Sequence, residues 1–436
     1  MEPSIVTFLL FGLMIAAIAL GVPVAFVLGG LGIVFTWFLW GPQGLLVIVS
    51  TAYGKGTDFI LIALPLFILM GHFLEVSGIA EDLYEMMNRW VGQIPGGLAS
   101  GTILICAIFA AMAGISGAAT VSMGLIALPS MLRRGYNKRL VLGTICAGGA
   151  LGILIPPSIV VIIYASLTGE SITVLYGACL IPGVLLAGMH IAYITARAVF
   201  QPHLAPSSKG EYTWAQKIES LKAVFIPIII ILLVLGTMYL GVCTPTEAAG
   251  IGTLGLAISC ALRRRLGWEK IKRASKGAFL VSVMCMWIIF GGYCFGRAYS
   301  VAGASDLITN LVIGLEVAPL AIICAMMGIL FFLGMFMGAA EICVITTPIF
   351  LPIICALDFN PVWYGVLFVI NAEMGLISPP FGITLFWLKG VTPPEVTMGD
   401  IYASVWPFIG VQIVCITLVI FFPEIALWFP KFIAGG

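Results

Sequence analysis

The sequence predicts an all-α integral membrane protein with about 10–11 transmembrane helices and two re-entrant helical hairpins. Of its 436 residues, 61% are hydrophobic and only 9% are charged, and the mean hydropathy is +1.17. Soluble domains carry about 25% charged residues, so this chain is too apolar to be one. Apolar runs of membrane-spanning length recur along the chain, and one motif that interrupts such a run occurs twice. These three features predict a multi-pass helical protein with an internal repeat.

The composition also excludes several classes of function. A formal net charge of +1 gives no electrostatic basis for a nucleic-acid partner. Eleven cysteines lie in apolar segments without a CxxC pair, and there are only three histidines. We therefore expect no disulfide framework, no metal cluster and no covalently bound cofactor. The first apolar run has no basic residues before it, so it is predicted to be a retained span rather than a cleaved signal peptide.

Ten apolar runs are long enough to cross a bilayer. They cover residues 4–21, 22–40, 58–75, 140–166, 173–198, 223–242, 245–262, 277–296, 361–388 and 404–428. Two further apolar blocks, 97–132 and 318–357, have small and polar centres that read AGISGAATVS and GMFMGAAE. Each block is predicted to form either two short spans or a re-entrant hairpin. Both alternatives return the chain to the side of the membrane from which it came.

The distribution of basic residues predicts the orientation. If residue 97 lies on the cytoplasmic side, 17 of the 20 Lys and Arg residues fall in cytoplasmic segments. The three exceptions are Lys55, Arg297 and Lys431. The positive-inside rule then places both termini on the exterior or periplasmic side. Residues 80–94 are predicted to form either an amphipathic helix along the membrane surface or a short solvated loop.

A doubled proline interrupts an apolar run in each half of the chain. Residues 151–159 read LGILIPPSI, and residues 374–383 read MGLISPPFGI. In both copies a glycine stands four residues before the first proline, and another proline, Pro129 or Pro352, stands 27 residues before it. Because the two blocks enter the membrane from opposite sides, the copies are predicted to be inverted repeats. Paired, interrupted segments of this kind mark the binding region of secondary transporters.

The repeats divide the chain into four predicted parts, which are two sets of scaffold helices and two repeats. The scaffold sets are residues 1–95, which include the amphipathic arm, and residues 199–317. The repeats are residues 96–198, with the hairpin 97–132 and the broken helix 140–166, and residues 318–436, with the hairpin 318–357 and the broken helix 361–388.

The proline pairs predict a cation site. A break in a membrane helix frees carbonyl and N–H groups that lipid cannot satisfy. Free carbonyls and hydroxyls suit a hard cation such as sodium, and helix N-termini suit a carboxylate. The hydroxyl side chains near the breaks are Ser116, Thr120, Ser122 and Ser158 in the first repeat and Thr346, Thr347, Ser378 and Thr384 in the second. The alternatives are prolines that only kink a packed helix and hydroxyls that only join helices.

Acidic residues inside a membrane are costly and predict a function. Glu341 lies near the tip of the second hairpin, and Glu373 lies just before the second break, close to Asn371. We expect Glu373 and Asn371 to support the site. Glu247 and Asp58 lie nearer the interfaces, where we expect them to cap helices.

Several motifs resemble one transporter family. The segments GTDFILIALPLFILMG, AGGALGILIPPSIVVIIY, CTPTEAAGIG, FFLGMFMG and MGLISPPFGITLF are similar to those of the large membrane subunit of tripartite ATP-independent periplasmic (TRAP) transporters, the DctM-like proteins. The resemblance implies an elevator in the bacterial inner membrane, in which hairpins and broken helices carry an organic acid past a scaffold, with sodium as the coupling ion. It also implies two partners, a small membrane subunit and a periplasmic substrate-binding protein.

The resemblance also implies which residues bind. One sodium site is similar to the first tip and the first break, at Ser116, Thr120, Gly152, Ile155 and Pro157. The other is similar to the second tip with Gly375, Ser378 and Phe381. Substrate contacts are implied at Ser116, Ser158, Gly338 and Glu341. The chain departs from the family pattern in three ways: GISGAAT has fewer hydroxyls than usual, GMFMG stands where GMFLD is common, and Ser378 replaces a threonine.

The sequence therefore leaves three functions open. The first is sodium-coupled import of a carboxylate-bearing solute, as the large permease subunit of a tripartite system. The second is a stand-alone ion-coupled symporter of organic anions. The third is an intramembrane serine protease, because residues 114–117 read GISG and His190, in a later span, could act as the base for Ser116.

Overall fold

The computed structural model describes residues 2–207 and 212–433, and all regular structure in these residues is helical. Ten helices form the first half of the described chain. They are α1 (Pro3–Ala19), α2 (Val24–Trp40), α3 (Gly44–Gly56), α4 (Ala63–Ser77), α5 (Ile79–Val91), α6 (Gly97–Ala113), α7 (Ser116–Arg133), α8 (Lys138–Ala150), α9 (Ile159–Thr168) and α10 (Ile172–Phe200). Short 3-10 turns precede α4 at Phe59–Ile62 and follow α8 at Leu151–Ile153.

Twelve helices form the second half of the described chain. They are α11 (Trp214–Ser220), α12 (Lys222–Ile231), α13 (Thr237–Tyr239), α14 (Pro245–Leu262), α15 (Trp268–Val301), α16 (Ala304–Ile313), α17 (Pro319–Gly334), α18 (Ala339–Ala356), α19 (Pro361–Leu376), α20 (Ile383–Val391), α21 (Met398–Phe421) and α22 (Glu424–Ile433). Helices α11 to α13 run as one apolar segment, Trp214–Tyr239, with a π-helical turn at Leu232–Gly236.

Seven helical segments among the described residues are long and apolar enough to cross a membrane. They are Phe59–Ser77, Ile172–Phe200, Trp214–Tyr239, Pro245–Leu262, Trp268–Val301, Ala339–Ala356 and Met398–Phe421. Shorter apolar helices, which include α1, α2, α6, α9, α17 and α19, pack among them. The predicted all-α membrane class is therefore confirmed.

The structure differs from the predicted spans at two points. The apolar run 404–428 does not form one helix, because α21 ends at Phe421, just before Pro423, and a separate helix begins at Glu424. Helices α3 and α16 lie outside every predicted span. With 13 and 10 residues, both are shorter than the roughly 20 residues that a straight crossing needs.

The two repeats have the same order of elements and break at corresponding places. Hairpin α6–α7 turns through residues 114–115, and hairpin α17–α18 turns through residues 335–338. In each repeat the next helix stops at the proline pair and a shorter helix follows, so α8 gives way to α9 and α19 gives way to α20. The doubled motif of the sequence therefore coincides with a doubled interruption of the helix.

Helix caps repeat as well. Asn137 accepts hydrogen bonds from the first N–H groups of α8, and Asn360 does the same for α19. Each asparagine stands 19 residues before the first proline of its pair. The predicted caps are confirmed: Asp58 accepts the N–H of Ile60, and Glu247 forms a capping box at the start of α14.

The repeats pack against each other with exchanged partners. Helix α7 of the first repeat packs on α20 of the second, and α18 of the second packs on α9 of the first. Likewise α21 packs on α8, α10 packs on α19, and α10 contacts α21. Reciprocal contacts of this kind are what two related halves make across a two-fold axis. They gather both hairpins and both breaks into one central body.

The amphipathic arm forms helix α5, which is one of its two predicted forms. Its apolar side, which includes Leu83 and Met87, is buried, and α5 packs on α6 and α7. Its polar side forms an ion pair at 2.5 Å between Asp82 and Arg263. The apolar face of the arm therefore covers the first hairpin instead of lying open to lipid.

The end of α9 is tied to α3 and α15 by polar contacts. Lys55 donates to the main-chain oxygen of Ser166 at 3.4 Å and lies 4.6 Å from the ring centroid of Tyr293. The Tyr293 hydroxyl lies 3.0 Å from the Ser166 hydroxyl and also donates to the Ser166 carbonyl. Asp58 completes the group by pairing with Lys55 at 3.4 Å. These contacts link α9 of the central body to α3 and α15 in the arrangement that the structure shows.

Gly365→Val is expected to lower the melting temperature of the protein purified in detergent. A methyl group at Gly365 of α19 would lie 2.6 Å from ring atom Cε1 of Tyr164 on α9. Overpacking of this kind costs about 1–3 kcal/mol. Gly410→Val in α21 is the matched control, since nothing lies within 4 Å of a methyl group there. Equal melting temperatures for the two variants would contradict the packing of α9 against α19.

Candidate functional site

The first break is enclosed by protein. The chain leaves the 3-10 turn at Ile153, passes the proline pair and enters α9 at Ile159. Every residue from 151 to 158 is buried. Because proline has no N–H, carbonyls at the end of the preceding helix lose their usual donors. Polar main-chain groups are therefore held inside the protein and away from lipid.

The tip of the first hairpin rests directly on this break. A methyl group built on Gly152 would lie 2.8 Å from the amide nitrogen of Ser116. One built on Gly114 would lie 3.0 Å from the carbonyl carbon of Pro157. Main chain therefore packs on main chain, with no room for a side chain between them. The structure thus brings together Ser116, Gly152 and Pro157, three of the residues predicted for the first sodium site.

The second break has the same form but is open on one side. Helix α19 ends at Leu376, and α20 begins at Ile383. Both proline pairs, Pro156–Pro157 and Pro379–Pro380, are joined by cis peptide bonds. Ser378 is fully buried, whereas the side chain of Phe381 is 55% exposed. The two candidate sites therefore differ in their access to the surroundings.

The second tip also contacts its break through the main chain. A methyl group built on Gly375 would lie 2.6 Å from Cα of Gly334 at the end of α17. The N–H of Phe381 donates to the carbonyl of Met335 in the tip at 3.2 Å. The rings of Phe381 and Phe336 lie 5.9 Å apart. Gly375 and Phe381, both predicted for the second sodium site, are thus joined to the hairpin.

Main-chain oxygens at the breaks lack donors. Among the described residues, no hydrogen bond is donated to the carbonyls of Ile155, Pro157, Ser378 or Phe381. The carbonyl of Gly375 differs, because it accepts the N–H of Ser378 at 3.0 Å. A buried carbonyl without a partner is destabilising by about 1–3 kcal/mol. Each break therefore offers oxygen atoms that a bound cation would satisfy.

Most of the predicted hydroxyl ligands bond within their own segment. Ser158 donates to the carbonyl of Ile153 at 2.5 Å, and Ser378 donates to that of Met374 at 2.7 Å. Thr120 donates to the carbonyl of Ser116 at 3.0 Å and is fully buried. Ser116 as a residue is 3% exposed, and none of the side-chain hydrogen bonds among the described residues involves its hydroxyl. Ser116 is thus the hydroxyl left free at the first tip.

Glu341 lies at the second tip, beside Gly338. The carboxylate turns back over the first turn of α18, where a methyl group built on Gly338 would overlap Oε2. An acidic side chain at this position complements the positive end of the helix dipole. Neither helix has a side-chain cap hydrogen bond, but the first turn of α7 at Ser116 contains no acidic residue. The two predicted substrate-contacting tips are therefore not equivalent.

The two predicted supporting residues attach α19 to different helices. Asn371 donates to the carbonyl of Met327 on α17 at 2.8 Å. Glu373 accepts a hydrogen bond from Nε2 of Gln412 on α21 at 3.2 Å. Sequence reasoning missed Gln412, although it is the single amide side chain in the apolar run 404–428.

Trp387 of α20 is a second residue that sequence reasoning missed. A methyl group built on Gly117 would lie 3.4 Å from three atoms of its indole ring. The ring therefore lies flat on the first tip, one residue after Ser116. No local signal in the sequence points to this contact, because it joins the two repeats.

The structure does not support a protease. His190 is completely buried, and no described residue forms a hydrogen bond with either of its ring nitrogens. Its ring packs on Phe408, with centroids 5.5 Å apart. Ser116 and His190 therefore form no nucleophile–base pair, which a serine hydrolase needs.

Comparisons with known proteins agree on one family. Residues 11–425 match the family described as "Tripartite ATP-independent periplasmic transporter, DctM component". The chain is 31% identical to the C4-dicarboxylate TRAP transporter large permease protein DctM of Pseudomonas aeruginosa, over 93% of this chain and 94% of that protein. It is 30% identical to the protein of the same name from Vibrio cholerae, over 98% of both chains.

Two further comparisons concern a longer relative and the fold. The isethionate TRAP transporter permease protein DctMQ of Oleidesulfovibrio alaskensis is 30% identical over 98% of this chain, which corresponds to 66% of that protein. The crystal structure of the YdaH transporter of Alcanivorax borkumensis matches the fold with a TM-score of 0.66 at 14% identity, over 93% of this chain and 96% of that one. The chain therefore belongs to the DctM family of TRAP transporter large permeases, as its motifs indicated, and is a multi-pass transport protein rather than an enzyme.

Proposed function

We propose that this chain imports a carboxylate-bearing organic solute together with sodium ions, which move inward down their electrochemical gradient. One observation carries the proposal: carbonyl oxygens without donors lie at two corresponding helix breaks, and a hairpin tip covers each break. Hard cations take oxygen ligands, and main-chain carbonyls supply them without a fixed charge. Interrupted helices of inverted repeats use such carbonyls to bind sodium in secondary transporters.

The ligand assignments remain those predicted from the sequence. For the first ion we propose Ser116, Thr120 and the carbonyls of Gly152, Ile155 and Pro157. For the second we propose the second tip with Gly375, Ser378 and Phe381. Because each tip touches its break, an ion bound there would hold tip and break together. Sodium binding and substrate binding would then stabilise the same arrangement, which is the requirement for coupling.

The solute is proposed to meet the two tips, at Ser116, Ser158, Gly338 and Glu341. The uncapped start of α7 is the better place for a carboxylate, since Glu341 already occupies the corresponding end of α18. Named relatives transport small organic anions, which include C4-dicarboxylates, isethionate and 2,3-diketo-L-gulonate. These names support an organic acid as the solute.

The membrane potential would supply enough energy for accumulation. Moving one positive charge inward across 100 mV releases about 2.3 kcal/mol. Two sodium ions would therefore support about a thousandfold accumulation of a neutral solute, before the sodium gradient itself is counted. We propose that the central body moves past the scaffold helices during this cycle, as in an elevator.

TRAP large permeases work with a small membrane subunit and a periplasmic binding protein. We propose the same assembly here, and we place both termini in the periplasm. The support for this orientation is the distribution of basic residues, since α5, the 133–139 loop and the 263–276 segment contain most of them.

Uptake by proteoliposomes tests the tripartite function. Vesicles would contain this chain with its small membrane subunit, and a candidate binding protein loaded with radiolabelled solute would be added outside. Uptake is expected to require both external sodium and the binding protein. Uptake that persists without the binding protein would instead indicate a stand-alone symporter. Equal uptake in sodium and in choline would contradict sodium coupling.

Gly152→Ala is expected to reduce sodium-dependent uptake at least about tenfold. The added methyl group would overlap the main chain of Ser116 and would therefore displace the first tip from the break. Gly188→Ala in α10 is the matched control, since no other described residue packs within 4 Å of its new methyl group, apart from the adjoining turns of the same helix. Initial rates at several sodium concentrations provide the measurement. An unchanged sodium dependence in Gly152→Ala would contradict the first site.

The orientation is tested with reporter fusions. Alkaline phosphatase joined to the C-terminus is expected to be active, because it folds in the periplasm, whereas green fluorescent protein at the same position is expected to be dark. Fusions that end at residue 273 should give the opposite result, because the 263–276 segment carries seven basic residues on the predicted cytoplasmic side. The same signal at both positions would contradict the topology.

A further inference from the structure

Two buried polar side chains lie against each other at the α19–α21 contact, outside both breaks. Glu373 and Gln412 are each 0% exposed. The Gln412 amide donates to Oε1 of Glu373 at 3.2 Å. The other oxygen of each group, Oε2 of Glu373 and Oε1 of Gln412, has no hydrogen-bond partner within residues 2–207 and 212–433. Two acceptor oxygens are therefore left unsatisfied on a directly connected pair of side chains.

The side chain of Glu373 also has no cationic partner in the part of the chain that the structure describes. None of the ion pairs among the described residues includes Glu373. Burial of an unpaired carboxylate is destabilising by several kcal/mol, and more so in a membrane span. Because no Lys or Arg side chain of the described residues pairs with it, this carboxyl group must be neutralised either by a bound cation or by a proton.

We propose that Glu373 and Gln412 bind a sodium ion, at a site additional to those at the two breaks. The inference rests on the proposed sodium coupling. A carboxylate and a side-chain amide are oxygen ligands that hard cations accept. A 180° turn of the amide about its last torsion directs its oxygen at the same ion without moving the backbone. A transition metal is a poor fit, since no group of three His, Cys, Asp or Glu side chains occurs among the described residues.

The site belongs to the second repeat alone. The proline pairs and the preceding glycines align the repeats, with Gly152 matching Gly375. In this alignment Ala150 corresponds to Glu373. An apolar side chain cannot bind an ion, so the first repeat has no equivalent. The additional ion would thus make the number of coupling ions odd, although the fold is duplicated.

The position of the pair links it to the second break. Glu373 precedes Gly375 by two residues on the last turn of α19, and Gly375 touches Gly334 at the second tip. Gln412 lies on α21, which also packs on α8 of the first repeat. An ion that joins the two side chains would therefore stiffen the end of α19 where the second tip rests.

The test compares Glu373→Gln and Gln412→Leu with Ser404→Ala. Ser404 is the matched control, because it is also a buried polar residue of α21. Its hydroxyl donates to the carbonyl of Ile401 in the same helix at 2.6 Å. The complete transporter is assayed for initial uptake rate against sodium concentration. The purified chain is assayed for the rise in melting temperature that sodium, and not choline, produces.

Both site variants are expected to lower the Hill coefficient for sodium by about one and to reduce the sodium-induced rise in melting temperature, while Ser404→Ala keeps both. The double variant Glu373→Gln with Gln412→Glu exchanges the carboxylate and the amide and is expected to restore both readouts. If the pair only holds two helices together, the double variant would regain its melting temperature in the absence of sodium. The Hill coefficient would then be unchanged in the single and double variants.

Three outcomes would overturn the site. The first is an unchanged Hill coefficient in both single variants. The second is a pair of single variants whose uptake rate no longer depends on pH but still depends on sodium as in the unmodified transporter. That result would show that a proton neutralises Glu373 instead. The third is a double variant that regains stability but not the sodium response. If the unmodified transporter showed no sodium dependence, the proposed sodium coupling itself would fail. That result comes from the unmodified transporter alone and is therefore distinguishable from the failure of the additional site.

Discussion

The structure depends on the need of main-chain polar groups for partners where water is absent. An unbroken helix satisfies its own carbonyls, and a break inside a span does not. The two proline pairs create such breaks, and they enforce them because proline cannot donate to the preceding turn. Around each break the chain places a hairpin tip, so protein covers these oxygens completely at the first break and on one side at the second. Hairpins, breaks and close glycine contacts are consequences of this one constraint.

Duplication gives the same solution twice, but the copies are not identical in chemistry. The first break is wholly enclosed, and the second is open at Phe381. Glu341 lies in the first turn of α18, while the first turn of α7 has no acidic side chain. Glu373 has only Ala150 as its counterpart. Two halves with shared architecture and different polar groups can divide their tasks between ion and solute.

Sequence patterns predicted the features that are local and missed those that arise from packing. Hydropathy, the proline pairs and the caps at Asp58 and Glu247 could be read directly, because each depends on neighbouring residues. The short helices α3 and α16, the burial of the α5 face and the contact of Trp387 with the first tip depend on residues far apart in the chain. Gln412 was visible as a lone amide, but its partner on α19 was not.

The contact between Gly334 and Gly375 has a mechanical consequence. Two backbones that touch without side chains between them have no soft layer that can compress or rearrange. Sliding one against the other would open a gap that no neighbouring rotamer could fill. The hairpin and the helix end that it meets are therefore bound to travel as a single rigid piece, and any flexibility must come from the loops that lead into them.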